Sequence, residues 1–592
     1  MQRRLAIVLD GGAVAVAVCL AALAGFVLDA STDFHWHIAL GDTMLAERSL
    51  YTTDVHSYTF RGAPVFLSSW LSDVALAVAY DADGYLGCFL LRAVALVTAF
   101  GLLIRDAVRR GLAPRVSAAI AVFVVGYGFS SFYMRPETLA FALFAGVLAS
   151  IGAHARTQQR RYLIIPIALC VLWSNVHGSV GIGLFALGLY CAEVVSRQWL
   201  FARGSRDRGG PGSGDRALVL WALAAPPLAL ALSCLNPEGV SLPLAFQVVS
   251  DVWVGSIREW RPLHSSMVVP MLQVAALAVV VTTVAAVAVA KKTVWHLVVL
   301  VTVLSALSVA FRRFVPFAMF AAVPLVAANL VHLRRLRESG NARLWRVVGP
   351  GLAILALSWG LGAVATDPAA GRRIGVGIDP RHASYPVRAC GAIRSAGVPG
   401  PVFNDYDFGS YLMFCLGRDY PVFIDQRAWS LYSDQHYARF LAADSDPDAL
   451  ASLQREHPAT WAIMKYNPLA GQLGAERDRW RVVYFDDKAI VFAAVTPELE
   501  SFIADHEFVF LNPIMLPRLP QLLPEFHPAA SAELARAEEN CSSCYRVALA
   551  RLGLAIATRD RDAVGAAADR LLAHRKDTPE VRYLIGLARA VK

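Results

Sequence analysis

Long apolar runs fill residues 1–366, whereas residues 367–592 alternate short apolar segments with polar ones. A helix that spans the hydrocarbon core of a bilayer needs about 20 mostly apolar residues. The stretch 66–80 is apolar but contains Asp73, so it predicts an interfacial or re-entrant helix, with a full span as the alternative. The remaining runs predict eleven transmembrane helices, at 5–28, 85–104, 116–134, 138–153, 162–174, 179–195, 217–235, 268–290, 293–311, 315–331 and 346–366.

Composition agrees with this pattern and narrows the class of protein. Apolar residues make up 56% of the 592 residues and charged residues only 17%, whereas soluble domains carry about 25% charge. A cytosolic enzyme, a disordered chain and a fibrous repeat are therefore excluded. The net charge of +9 does not indicate a nucleic-acid partner, because the basic residues cluster in short loops between apolar runs. The fold class is a polytopic α-helical membrane protein with a water-soluble C-terminal region.

The distribution of Lys and Arg predicts the orientation in the membrane. One alternating set of loops holds 21 of these residues and the other set holds seven. Basic residues stay on the cytoplasmic side, so the N-terminus is predicted inside and residues 367–592 outside, in a bacterial-type inner membrane. The first run, 5–28, lacks a small-residue cleavage site and is predicted to remain as the first helix.

The outer C-terminal region divides into two predicted parts. Residues 367–500 alternate turns, short strands and helices, which is typical of a small α/β domain. Residues 501–592 contain Ala-rich amphipathic helices that resemble tetratricopeptide hairpins without a complete repeat. Cys541 and Cys544 are the only paired cysteines in the sequence pattern and could form a local disulfide. Four charged residues follow predicted strand ends and could bind a ligand or simply form turns: Asp405, Asp407, Asp425 and Arg427.

The first predicted outer loop, 29–84, is long enough to be functional and opens with Asp33, His35 and His37. Residues 36–47 have helical character, which places Asp33 between the first span and a surface helix. A partly buried carboxylate there could act as a general base. Alternatively, Asp33 or Thr32 caps the helix.

Asp54 and His56 form the second polar group of this loop. They could position an acceptor or pair with an arginine. Turn chemistry around Thr52, Thr53 and Asp54 explains them equally well.

Other polar residues gather at the predicted outer helix ends. Paired arginines there suit phosphate, because the guanidinium fork binds it bidentately; the alternative is snorkelling to lipid headgroups. Arg92 lies inside an apolar run, so it is expected to face the bundle and pair with a carboxylate or phosphate. The predicted substrate-binding residues are His35, His37, Asp54, His56, Arg92, Arg135, Glu137, Asn175, His177, Arg258, Glu259, Arg312 and Arg313.

Metal binding is not supported by the histidine spacing. His35 and His37 are two residues apart, which does not place both rings on one helical face. No carboxylate completes a zinc pattern with His177. We therefore predict no cofactor, although a divalent metal is compatible with these residue types.

The chain resembles the GT-C superfamily of glycosyltransferases, in the branch of protein mannosyltransferases and aminoarabinose transferases. The resemblance lies in a first span followed at once by a long outer loop that opens with Asp33, a surface helix with Gly41, and the later Asp54. Many members carry an Asp-Glu pair where this chain has Asp33 and Phe34.

The resemblance implies that a sugar is moved from a polyprenyl-phosphate-linked donor to an acceptor on the outer side. Asp33 would be the base. One of Arg135, Arg312 and Arg313 would neutralise the phosphate. Asn175, His177 and Glu259 would line the cavity, and the lipid tail would enter between helices. The acceptor would be a protein, a glycan or a lipid, and the helical tail could bind a protein partner.

Two other functions fit the sequence. A transporter or flippase for a lipid-linked intermediate would carry internal repeats and ionisable residues near the bilayer midplane, and the sequence shows no clear repeat. A non-catalytic membrane assembly protein would use the helical tail as its binding module.

Overall fold

The computed structural model describes residues 2–28, 31–128, 132–204, 213–244, 293–337, 374–377, 385–574 and 576–591, together with Trp253, Ile257, Trp260 and Thr283. The chain forms two compact units. The membrane unit comprises Met1–Tyr51 and Phe66–Ala383, and the C-terminal unit comprises Thr52–Val65 and Ser384–Lys592. The second unit is therefore assembled from two separate stretches of the sequence.

Helices make up most of the described part of the membrane unit. Its apolar runs lack the strand-favouring alternation of polar residues, and a helix satisfies all its backbone groups internally, as a bilayer requires. Short connections join most of the helices. The described helices of the membrane unit are α1 (Gln2–Ala24), α2 (Phe34–Glu47), α3 (Trp70–Arg109), α4 (Pro114–Gly128), α5 (Pro136–Thr157), α6 (Arg161–Val176), α7 (Val180–Gly204), α8 (Ser213–Ser233), α9 (Ser241–Leu244), α10 (Trp295–Ala310) and α11 (Val315–Arg337).

Nine of the eleven predicted spans coincide with helices. The spans 346–366 and, apart from Thr283, 268–290 lie outside the described residues. Five helices are long and apolar enough to cross a membrane: Trp70–Arg109, Pro136–Thr157, Val180–Trp199, Arg216–Ser233 and Arg312–Arg334. Four further apolar helices are shorter. These features indicate a multi-pass membrane protein, and the count of eleven remains a prediction.

Aromatic side chains interdigitate in the core of the membrane unit. The ring centroid of Phe141 on α5 lies 5.2 Å from that of Phe317 and 5.3 Å from that of Phe320, both on α11. Phe144, one turn further along α5, lies 5.6 Å from Phe317. Because lipid tails are as apolar as leucine, helices in a membrane associate through such close packing rather than through the hydrophobic effect. The core thus fixes α5 against α11.

The stretch predicted to be interfacial forms the start of α3, and a sharp bend separates it from the rest of that helix. Asp83 and Gly84 leave helical geometry, and Gly84 adopts a φ of 55° that favours glycine. The first part of α3 packs on α2 at Gly41, where an added Cβ would lie 2.2 Å from the carbonyl oxygen of Asp73. Only glycine allows the two helices to approach this closely.

The C-terminal unit contains a four-stranded sheet in the order β1 (Val402–Asn404), β2 (Trp461–Met464), β4 (Ile490–Ala494) and β3 (Trp480–Phe485). β1 pairs with β2 in parallel, and the other two pairs are antiparallel. The apolar segment 422–424 that precedes Asp425 forms only isolated bridges. In these, Val422 pairs with Val402 on one side and with Ser57 on the other. The 52–65 segment therefore extends the sheet edge of the unit.

Helices surround this sheet and form the tail of the chain. The division into an α/β domain at 367–500 and a helical tail at 501–592 remains a prediction. The main helices are α12 (Val387–Ser395), α13 (Gly409–Leu416), α14 (Asp434–Ala442), α15 (Pro447–Glu456), α16 (Pro468–Ala475), α17 (Glu500–His506), α18 (His527–Cys541), α19 (Tyr545–Thr558), α20 (Arg561–Ala573) and α21 (Pro579–Val591).

Two disulfides lie in the C-terminal unit. The predicted Cys541–Cys544 bridge is confirmed. A second bridge joins Cys390 to Cys415 across 25 residues, and the sequence pattern missed it. The free cysteines lie in the membrane unit, at Cys19, Cys88, Cys170, Cys191 and Cys234.

Candidate functional site

Asp33 and Arg135 form an ion pair at the starts of two helices. Asp33 precedes α2 and Arg135 precedes α5. Asp33 Oδ2 lies 2.9 Å from Arg135 Nη2. The Ser31 hydroxyl oxygen accepts hydrogen bonds from Arg135 Nε at 2.8 Å and from the Asp33 backbone N–H at 3.3 Å. The alternative role as a helix cap is wrong for Asp33, because its side chain makes no capping hydrogen bond to α2.

His177 brings further charged groups into the same region. It follows α6, and its Nδ1 lies 2.7 Å from the Ser179 hydroxyl. Burial, aided by the nearby charges of Arg313, His37 and Arg135, lowers the pKa of His177 to about 3. His177 is therefore neutral near pH 7 and lies near the guanidinium groups of Arg135 and of Arg313 in the turn Arg312–Phe314.

A histidine–carboxylate pair completes the region. His37 on α2 places its Nδ1 2.7 Å from Oδ1 of Asp73 on α3, and the Ser69 hydroxyl donates to the same oxygen at 3.1 Å. The Trp36 ring stacks on the His37 ring with centroids 3.6 Å apart. A carboxylate at Nδ1 fixes the tautomer and leaves Nε2 able to exchange a proton. We refer to Ser31, Asp33, His37, Asp73, Arg135, His177 and Arg313 as the Asp33 cluster.

The surroundings of the cluster are held by polar contacts between helices. Trp70 Nε1 donates to the Asn175 side-chain oxygen at 2.8 Å. The Asn175 amide donates to the carbonyl of Leu235 at 3.0 Å. Glu238 accepts from the Leu67 backbone N–H at 2.6 Å. Arg313 stacks on Trp260, with its guanidinium carbon 4.4 Å from the ring centroid. These contacts orient the end of α6 and the turn that carries Arg313.

Two predicted site residues are buried against protein atoms. His35 is fully buried, its Nε2 lies 2.9 Å from the Tyr85 hydroxyl, and burial lowers the pKa of His35 to about 3. Arg92 faces the bundle, as expected. It donates to the carbonyls of Gly25 at 2.9 Å and Val27 at 2.5 Å, and it lies over the Phe89 ring. A substrate contact for His35 or Arg92 remains a prediction.

Asp54 and His56 belong to the C-terminal unit, not to the membrane unit that holds Asp33. Asp54 Oδ1 lies 2.5 Å from Arg427 Nη1, and both side chains are fully buried. Arg427 also contacts Asp425 at 2.6 Å. Asp54 accepts the backbone N–H groups of His56 and Ser57 at 3.1 Å. The arginine pair and the turn chemistry proposed for Asp54 are thus both confirmed, and a role in acceptor binding is untested.

The strand-end carboxylates of the C-terminal unit are also paired. Lys465 contacts Asp407 and lies 3.5 Å from Asp405 Oδ1. Asn467 donates to Asp405 Oδ2 at 3.1 Å. Asp405 accepts the backbone N–H of Asp407 at 3.2 Å, which is turn chemistry.

The remaining predicted site residues are placed as follows. Glu137 lies in the first turn of α5, two residues after Arg135, and Arg312 shares a turn with Arg313. Arg258 and Glu259 lie outside the described residues. Sequence reasoning missed Asp73 as a site residue. The signal was present as an acid inside an apolar stretch, and it was used only to argue against a full span.

Comparisons with known proteins address the fold. No protein-family model matches the sequence, and no curated protein matches it. The structure is similar to the crystal structure of the Archaeoglobus fulgidus oligosaccharyltransferase in the apo form, with a TM-score of 0.50 and 11% identity. The match covers 82% of this chain and 74% of that one.

The fold is similar to that of this oligosaccharyltransferase. At 11% identity the similarity establishes architecture alone, so membership of the GT-C superfamily remains a prediction. The branch of protein mannosyltransferases and aminoarabinose transferases remains a prediction. Among the residues described, no group of three His, Cys, Asp or Glu side chains is arranged to hold a metal.

Proposed function

We propose that the protein is a membrane glycosyltransferase that moves a sugar from a polyprenyl-phosphate-linked donor to an acceptor on the extracytoplasmic side. The observation that carries this proposal is the Asp33–Arg135 ion pair, which lies with His37, His177 and Arg313 in one cluster of a GT-C-like bundle. Acidic and basic groups inside a membrane protein mark functional sites by default, because they are costly there.

The chemistry assigned to the cluster follows from its charges. The acceptor attacks the anomeric carbon while the bond from that carbon to the phosphate oxygen breaks, and the phosphate leaves with the electron pair. Asp33 takes the acceptor proton or orients the acceptor. Arg135 and Arg313 offset the negative charge that develops on the phosphate, which is usually the largest catalytic contribution.

The His37–Asp73 pair is placed to assist. Asp33 and His37 are four residues apart and therefore lie on the same face of the helix start. A proton released near Asp33 can pass to His37 Nε2, and the Asp73 carboxylate stabilises the imidazolium that results.

The orientation proposed from the positive-inside rule is supported by the cysteines. Both disulfides lie in the C-terminal unit, and disulfides persist in oxidising compartments such as the periplasm. We therefore propose that this unit is extracytoplasmic and that it recruits the acceptor.

The test is transfer from labelled polyprenyl-phosphate sugars in membranes, with Asp33→Asn compared with the wild type. We expect the rate to fall by about 10²-fold or more, the usual contribution of a positioned acid–base group. Asp42→Asn is the matched control, since nine residues correspond to two and a half helical turns and place Asp42 on the opposite face of α2. Unchanged transfer in Asp33→Asn removes Asp33 from the mechanism. Absence of transfer by the wild type with every donor favours the assembly protein or the flippase.

A further inference from the structure

An apolar groove opens on the surface of the membrane unit, between α1, α3 and the start of α4. Val14 and Val18 of α1 form one wall, and Ile104 and Val108 of α3 form the other. Its volume is about 340 Å³, which is within the range of small-molecule sites. Gly101 keeps the groove open, because a Cβ added there would meet no atom within 4 Å.

Two arginines line the same groove. Arg105 and Arg109 of α3 are exposed and one turn apart, so their side chains lie on one helical face. The lining of α3 from Gly101 to Arg109 spans about 12 Å along the helix axis. The groove is therefore apolar along its length and cationic at the C-terminal end of α3.

These two arginines differ from their neighbours in having no acidic partner. Arg110 pairs with Asp106 at 2.7 Å, and Arg115 lies 3.9 Å from Asp10. Within the described part of the chain, the guanidinium groups of Arg105 and Arg109 make no ion pair or hydrogen bond. Two adjacent unpaired guanidinium groups favour an anion with several oxygen atoms, such as a phosphate.

Other apolar side chains of α1 are also exposed. Val8 is 69% exposed and Leu9 is 53% exposed on α1, as expected for side chains that contact acyl chains. An apolar groove next to a cationic pair fits a lipid with a phosphate headgroup, because the acyl chain is apolar and the phosphate is anionic.

We propose that the groove binds an anionic glycerophospholipid of the leaflet next to the C-terminal end of α3. One acyl chain occupies the groove along Gly101, and the phosphate contacts Arg105 and Arg109. By the orientation proposed above, this is the cytoplasmic leaflet. The site is therefore distinct from the Asp33 cluster and does not depend on the transferase activity.

The experiment measures lipid binding by the full-length protein. Purified protein in detergent is titrated with phosphatidylglycerol or with phosphatidylcholine, and bound lipid is counted by native mass spectrometry. A basic residue near an anionic lipid surface contributes about 1 kcal/mol, or about fivefold in affinity. The double variant Arg105→Gln/Arg109→Gln is therefore expected to bind phosphatidylglycerol about 25-fold more weakly, with binding of phosphatidylcholine unchanged.

Matched variants test the two halves of the proposal separately. Gly101→Leu fills the groove and is expected to reduce binding of both lipids. Gly188→Leu is its control, because an added Cβ at Gly188 also meets no atom within 4 Å. Arg160→Gln/Arg161→Gln removes the same charge from the start of α6 and is expected to leave binding unchanged.

Two results would overturn the assignment. One is that Arg105→Gln/Arg109→Gln binds phosphatidylglycerol with the same affinity as the wild type, which would exclude the headgroup contact. The other is displacement of phosphatidylglycerol by polyprenyl phosphate at equal concentration, which would make the groove a site for the carrier lipid. Because the readout is bound lipid, failure here leaves the proposed transferase activity untouched.

Discussion

The buried Arg427 in the C-terminal unit gives the sharpest stability prediction. Its guanidinium lies between two carboxylates, at 2.5 Å from Asp54 and 2.6 Å from Asp425, and all three side chains are fully buried. The Tyr432 hydroxyl also donates to Asp425 at 2.5 Å. Asp54 comes from the 52–65 segment and Asp425 from the main body of the unit, so Arg427 joins the two stretches of sequence.

Replacing Arg427 by Met removes the positive charge and leaves both carboxylates buried without it. Removal of one partner from a buried pair costs about 3–5 kcal/mol. For a domain of 150–250 residues, each kcal/mol shifts Tm by about 2–4 °C. A loss of about 4 kcal/mol therefore predicts a fall in Tm of roughly 8–16 °C for the C-terminal unit.

A double-mutant cycle isolates the contact itself. Asp54→Asn removes one carboxylate but keeps a side-chain oxygen for the backbone N–H groups of His56 and Ser57, so we expect a smaller loss of about 1.5–3 kcal/mol. Combined with Arg427→Met it relieves one of the two uncompensated charges. The double variant should therefore lose less stability than the sum of the two single variants, by at least 1 kcal/mol.

The assay is thermal unfolding in detergent, followed by the fluorescence of the buried Trp461 and Trp480. Trypsin cleavage after the exposed Arg61 reports release of the 52–65 segment. Faster cleavage should accompany the fall in Tm of Arg427→Met. Additive losses within about 0.5 kcal/mol, or a loss below 1 kcal/mol for Arg427→Met, would refute this account of the buried network.

Three further predictions concern single residues. Asp73→Asn removes the charge that orients His37 and should lower the transfer rate about 10²-fold at normal protein yield in membranes; an unchanged rate would make the pair purely structural. Burial, aided by the Arg427 charge, lowers the pKa of His56 to about 3. In the unfolded chain the pKa of His56 is near 6.5, so as the pH falls the unfolded state takes up a proton before the folded state does. The free energy of unfolding should therefore be at its maximum above pH 6.5 and lower by about 2 kcal/mol at pH 5. His56→Gln should flatten this dependence in thermal unfolding at pH 5 and 8, and equal slopes would exclude His56 as its source. Glu533 accepts hydrogen bonds from the backbone N–H groups of Val509, Phe510 and Leu511, at 3.0, 3.0 and 2.8 Å. Glu533→Gln should therefore lower the free energy of unfolding by about 1–3 kcal/mol. Glu525 is exposed, so Glu525→Gln serves as a control that leaves Tm unchanged.

The sequence by itself determined the local elements of this protein. Apolar runs located nine of the predicted spans as helices. The reason is that the length of an apolar run, which a membrane helix requires, depends only on neighbouring residues. The predicted start of a helix after Asp33 was correct to within two residues, because helical periodicity is also a local property of the sequence.

Only the tertiary structure decided which distant polar groups meet. His37 and Asp73 are 36 residues apart, Asp33 and Arg135 are separated by 102, and Asp54 and Arg427 by 373. No local pattern encodes such pairs, because each depends on how the intervening helices or strands pack. Assignment of the 52–65 segment to the C-terminal unit is of this kind as well. It followed from bridges between Ser57 and Val422 at a sheet edge, where backbone groups pair across any distance in sequence once the fold has brought them together.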